Sequence, residues 1–138
     1  MGNDLVQWLM NWAFDHGISV TMISEIKKDL PHCASAAKKA VLINLNYGKQ
    51  REIPFALAHE IGHVVDDDSG IRYYQSATLH DKAEYRANCF GIRLLKKYCQ
   101  VNDIHIDNPV HFCERFEVPN QLDYVVAVEL SKSEDVKS

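Results

Sequence analysis

Between Asp4 and about His16 the apolar residues Leu5, Trp8, Leu9, Trp12 and Ala13 recur at helical spacing, with polar residues between them and Gly17 as a stop. This predicts an amphipathic helix lying on the core. Ile18-Ser19-Val20-Thr21-Met22 then alternates and is rich in β-branched residues, which predicts a short half-buried strand. Leu30-Pro31-His32-Cys33-Ala34-Ser35 reads as a turn. It leads into Lys39–Asn46, whose apolar run has strand length and ends at Tyr47-Gly48, so a second strand at the sheet edge is expected.

Pro54 suits the first turn of a helix, where its missing N–H is not needed, and the helix should run through His59 and His63 to the Asp66-Asp67-Asp68-Ser69-Gly70 stop. Asp81 is placed to cap a further helix from about Lys82 to Tyr98. Tyr85, Cys89, Ile92 and Leu95 form its apolar stripe, and Lys96-Lys97 complement its negative end. Shorter helices are expected around His111–Phe116 and Gln121–Leu130. The elements sum to an α+β fold: a small antiparallel or mixed sheet packed against helices, in one domain over 1–130, followed by a polar tail, 131–138, that frays.

Composition narrows the partners. The chain has 138 residues, 46% hydrophobic and 25% charged, which suits one globular core. A net charge of −4 with dispersed Lys and Arg argues against a broad nucleic-acid surface. No apolar run approaches membrane-spanning length, and Met1-Gly2-Asn3-Asp4 gives no positively charged leader, so a cytoplasmic protein is expected. The cysteines at 33, 89, 99 and 113 are irregularly spaced and read as free thiols.

Candidate chemistry centres on His59-Glu60-Ile61-Gly62-His63, an H-E-x-x-H string in which two imidazoles rise from one helical face and the intervening Glu can address a metal-held water. Leu57, Ile61, Val64 and Val65 occupy a different, core-facing stripe, so the histidines are not required as core filling. Gly62 and Ala58 make a small patch where another helix can come close. Glu84, Ala87, Asn88 and Gly91 share one face of the following helix and match that patch: a carboxylate, an amide and two tiny side chains. Two His and one Glu, with a fourth position for water, is a common hydrolytic zinc set. His59, His63 and Glu84 are therefore the expected Zn2+ ligands and Glu60 the expected general base, with Asn88 and Asp66 as candidate acceptors for the outer ring nitrogens. Tyr73, Tyr74 and His80 are candidate donors to an oxyanion.

Blander readings compete. Asp81-x-x-Glu84 could be a capping arrangement, and the two histidines could be surface residues. Asp66-Asp67-Asp68 reads better as a solvated turn than as a second cation site. His32-Cys33 reads better as an inert pair than as an inhibitory metal ligand.

Phe55-Ala56-Leu57-Ala58-His59-Glu60-Ile61-Gly62-His63-Val64, followed by Glu84-Tyr85-Arg86-Ala87-Asn88-Cys89-Phe90-Gly91, resembles the two signature helices of the ImmA/IrrE metallopeptidases, which are similar to the gluzincins. The resemblance spans roughly positions 38 to 95, with Arg86 and Gly91 as departures. It implies a zincin-like fold and a zinc-dependent endopeptidase whose protein substrate is a helix-turn-helix transcriptional repressor of a phage or mobile element. By the same resemblance, an extended substrate would add to the edge of the strand near Val41–Asn46. The rival expectation is a metal-stabilised, non-catalytic antirepressor or protein-binding module.

Overall fold

The computed structural model describes residues 2–66 and 77–132. Among these the architecture is α+β, with five α-helices and one three-stranded mixed sheet. In chain order the elements are α1 (Gly2–Asp15), β1 (Ser19–Ile23), β2 (Cys33–Ser35), β3 (Ala40–Asn44), α2 (Ile53–Val65), α3 (Ala77–Val101), α4 (Pro109–Phe116) and α5 (Asp123–Ser131). Short 3-10 turns precede α2 and α5.

Three helices end in the same way. After α1, α3 and α4 a residue with positive φ (Gly17, Asp103 and Glu117) reverses the chain, and the next N–H, from Ile18, Ile104 and Val118, reaches back to the carbonyls of Ala13, Cys99 and Cys113. Each reversal satisfies carbonyls that a helix end would leave orphaned, and it sets an apolar residue against the core.

The sheet order is β1-β3-β2. β1 runs parallel to β3 from Ser19↔Ala40 to Ile23↔Asn44, and β2 runs antiparallel to it from Cys33↔Leu42 to Ser35↔Ala40. Two expectations are corrected here. The end of the supposed turn at Leu30–Ser35 is a strand, and the second apolar strand is central instead of marginal. A continuous Ala-Val-Leu-Ile run, with Val41 and Ile43 buried and Ala40 and Leu42 half-buried, fits a strand covered on both faces and flanked on both sides. Backbone partners on both sides of Ala40–Leu42 also rule out adding a further strand there.

Asn44 closes β3 and is fully buried. Its amide donates to the carbonyls of Lys27 and Leu30 at 2.8 Å each, and its Oδ1 accepts from the N–H of Asn46 at 2.9 Å. The backbone N–H of Asn44 donates to His32 Nδ1 at 3.0 Å. His32 is thus a structural acceptor for the sheet, with its pKa lowered by burial, and Cys33 beside it is exposed. All four cysteines are free.

α3 begins at Ala77, four residues before Asp81, which stands on an exposed face inside the helix. Asp81 is therefore no N-cap, and the capping reading of Glu84 falls with it; an exposed Asp in a helix costs only a few tenths of a kcal/mol, roughly, against the better formers around it. Tyr85 leaves the predicted stripe and is 48% exposed, while Ala83, Ala87, Cys89, Ile92, Leu94, Leu95 and Cys99 are buried. The helix is covered on more than one side because α2 and α5 both pack against it.

Lys96 does not serve its own helix end. Its ammonium reaches the carbonyls of Glu129 (2.8 Å) and Lys132 (3.0 Å), closing the C-terminus of α5. The Glu129 carboxylate, itself buried, accepts from Arg93 Nε (3.1 Å) and Lys132 Nζ (3.0 Å). Of the tail expected to fray, 131–138, Ser131 is the last residue of α5 and Lys132 contacts Lys96 and Glu129, while 133–138 lie outside the described residues. Among the described residues no helix is long and apolar enough to cross a membrane.

Burial alone would raise the Glu129 pKa, but the hydrogen bonds from Arg93 and Lys132 outweigh it and hold the carboxyl below its ordinary value. A carboxyl lowered on folding stabilises the fold above its unfolded pKa, and that contribution disappears as pH falls through the folded value. Glu129→Gln should therefore lower unfolding free energy by about 2 kcal/mol at neutral pH, as expected for a lost charged hydrogen-bond partner. Urea titrations should find the difference from wild type closing under acid conditions; a gap constant down to the lowest workable pH would contradict the assignment.

Candidate metal centre

The site is built where α2 meets α3. Leu57, Ile61 and Val64 point α2 into the core, and Ala58 and Gly62 turn toward α3. A methyl at Gly62 would stand 3.0 Å from the Ala87 carbonyl oxygen, 3.2 Å from Ala87 Cα and 3.2 Å from Phe90 Cβ. At Gly91 it would meet His59 N and Phe55 Cε1 at 3.3 Å and the Ala58 carbonyl carbon at 3.4 Å. The two small-residue faces predicted from the spacing thus meet, and the missing Cβ atoms set how near the helices come.

That approach brings together side chains 21 to 25 residues apart in sequence. His59 Nε2 lies 3.0 Å from Glu84 Oε1, and His63 Nε2 lies 2.8 Å from Glu84 Oε2. One donor atom from each of the three lies within 4.8 Å of the others, and all three side chains are half-buried. On the far side of the first ring, His59 Nδ1 meets Asn88 Oδ1 at 2.8 Å.

The donor set fits a divalent transition metal. His59 meets an oxygen at each ring nitrogen, Glu84 Oε1 at Nε2 and Asn88 Oδ1 at Nδ1. With Nδ1–H donating to Asn88, His59 would offer the lone pair of Nε2 to a metal. Burial is the main influence lowering the His63 pKa, with repulsion from His59 adding to it, and together they outweigh the opposing pull of Glu84 and Asp66. His63 is therefore held in the neutral form that can offer a lone pair. Two imidazoles and a carboxylate match a zinc set with a coordination position left for water.

Glu60 sits between the histidines on α2 and is half-buried. Burial, reinforced by the negative charge of Glu84, raises its pKa from 4.5 to about 7. A carboxyl tuned to that range can both take and return a proton near neutral pH.

The predicted site residues are placed as follows. His59, His63, Glu84 and Asn88 converge, with Glu60 alongside. Among the described residues Asp66 pairs with Arg86 and with no histidine: its carboxylate accepts from Arg86 Nε at 2.9 and 2.8 Å. Tyr73 and Tyr74 lie outside the described residues, as do Asp67 to Gly70 and the side chain of His80; the backbone of His80 is in the first turn of α3. Arg86 stood out in the sequence only as a departure from the resemblance; its pairing with Asp66 has no local signal, because the partner is 20 residues away.

No protein-family model, curated protein or solved structure matches this chain.

The contacts at the two glycines rank their alanine variants. At Gly62 the obstacles include the α3 backbone, so overpacking of about 1–3 kcal/mol should exceed the propensity gain of about 1 kcal/mol. At Gly91 the contacts are looser, and the two effects should nearly cancel. Thermal denaturation should find Gly62→Ala less stable than Gly91→Ala, and the reverse order would show that the seam is not limited by Gly62.

Proposed function

We propose that this chain is a zinc-dependent endopeptidase with a zincin-like arrangement, in which His59, His63 and Glu84 hold the metal and Glu60 is the general base. The observation that carries the reading is the meeting of both Nε2 atoms with the two oxygens of one carboxylate from another helix, beside a carboxyl whose pKa is raised to about 7. The resemblance of Phe55–Val64 and Glu84–Gly91 to the signature helices of the ImmA/IrrE metallopeptidases points the same way. On that likeness the substrate is a helix-turn-helix transcriptional repressor of a phage or mobile element, and the place of action is the cytoplasm.

Zinc, when bound, would polarise the scissile carbonyl and make a water in its open position acidic near pH 7. The chain's own residues supply the rest. Glu60 takes the proton from the attacking water and delivers it to the leaving amine. Asn88 fixes the ring of His59 through Nδ1, so that Nε2 stays aimed at the centre. Tyr73, Tyr74 and His80 remain the candidate oxyanion donors. With β3 enclosed, the outer edge of β2, which packs against α2, is where an extended segment would add its backbone.

Purified wild type should retain about one zinc per chain, as three protein ligands and a water predict. His63→Ala should lose it. Glu60→Gln should keep the metal yet cleave a helix-turn-helix repressor from the same host roughly 10²–10⁴-fold more slowly, as loss of a general base predicts. Metal content and mass spectrometry of the digest read both effects. Undiminished cleavage by Glu60→Gln would remove the base assignment, and tight repressor binding without cleavage by the wild type would point to a non-catalytic binding module instead.

A further inference from the structure

The seam between α2 and α3 has a stop but needs something to prevent rolling. Gly62 against Ala87 limits how near the helices come, but one point of closest approach does not by itself fix how the N-terminal half of α3 is turned toward the imidazoles. Seen down α3, Glu84 and Asn88 fall on one flank of the Ala87–Gly91 contact line, and Arg86 and Phe90 on the other. A groove of about 390 Å³ follows that second flank, lined among others by Gly62, Val65, Asp66, Arg86 and Phe90, and by none of the metal-site side chains.

Arg86 and Asp66 close that flank. Arg86 Nε donates to both oxygens of Asp66, at 2.9 and 2.8 Å. Asp66 stands at the C-terminal end of α2, three residues beyond His63, where a carboxylate opposes the helix dipole and needs a cation nearby. Arg86 stands two residues beyond Glu84. The pair therefore ties the end of the histidine helix to the segment of α3 that carries Glu84.

We infer that the Arg86–Asp66 pair is a positioning device that holds the N-terminal half of α3 against rolling, so that the Glu84 carboxylate spans His59 and His63. The inference rests on the metal-site reading proposed above. Both partners are partly exposed, with Arg86 at 49% and Asp66 at 28%. Such a pair contributes little to global stability. Its effect should therefore appear at the site before it appears in the melting temperature.

The test compares wild type, Arg86→Gln, Asp66→Asn, the exchanged pair Asp66→Arg/Arg86→Asp, and Lys82→Gln as a control on the same helix. Two readouts are taken: zinc affinity by chelator competition, and long-range proton–nitrogen NMR of the His59 and His63 rings in metal-free protein. Each single variant should weaken zinc binding roughly fivefold, the scale of a lost exposed ion pair, with a nearly unchanged melting temperature. The ring-nitrogen signals should move with it, the exchanged pair should recover both, and Lys82→Gln should change neither. Should the wild type bind no zinc while the ring signals respond in this pattern, the metal reading falls and the positioning role stands. Ring signals that ignore Arg86→Gln, unchanged affinity in a wild type that does bind zinc, or an exchanged pair no better than the singles would each overturn it.

Discussion

Everything at the candidate centre depends on two helices coming closer than ordinary side chains allow. Gly62 and Gly91 each cost their helix about 1 kcal/mol relative to alanine. In return, the α3 backbone comes within 3.0 Å of where a Gly62 methyl would be, and Glu84 can span two imidazoles without extending into solvent. A larger residue at either position would push apart the face that carries Glu84 and Asn88 and the face that carries His59 and His63. The cost is offset by packing on the other sides of both helices, where Leu57, Ile61, Ile92 and Leu95 are fully buried.

The same closeness concentrates polar groups in a half-buried place. Two imidazoles and two carboxylates sit together, and their environments push the titrations in opposite directions: burial and Glu84 raise Glu60, while burial and His59 lower His63. A fold selected for stability alone would avoid such a cluster, since buried polar groups without full partners are costly. Perturbed titratable groups gathered at one place are a physical mark of a functional site.

Periodicity made much of this legible in the sequence. The helical period alone puts Ala58 and Gly62 beside the histidines, and Glu84, Ala87, Asn88 and Gly91 on one face, so the convergence followed from local spacing and small size. Features that depend on distant partners were hidden. β3 is central because β1 and β2 both choose it, and the available hint was an apolar run with no polar alternation at Ala40–Ile43. Lys96 looked like the end-charge of its own helix but caps α5, a choice made by tertiary packing. Arg86 and Asp66 carry no mutual signature, and Asp81 resembled a helix start only because helix propensity at 77–80 is hard to weigh against a good capping residue. Capping was also more permissive than composition suggests: Asp103 and Glu117 adopt the positive φ that only Gly17 announced.

The anchoring of α3 is uneven, and this bears on how the site works. Its C-terminal half is locked to α5 by Arg93 and Lys96, which hold a buried carboxylate and two helix-end carbonyls. Its N-terminal half, which carries Glu84, meets α2 through the glycine seam and the Arg86–Asp66 pair. If the centre holds a metal as proposed, binding there and docking of α3 on α2 form one linked equilibrium, each strengthening the other by the same free energy. On that reading the chain has no need of a rigid, fully preformed cage. It needs α3 close enough, and turned correctly enough, for the cation to complete the docking, which is a condition on backbone approach before it is one on ligand chemistry.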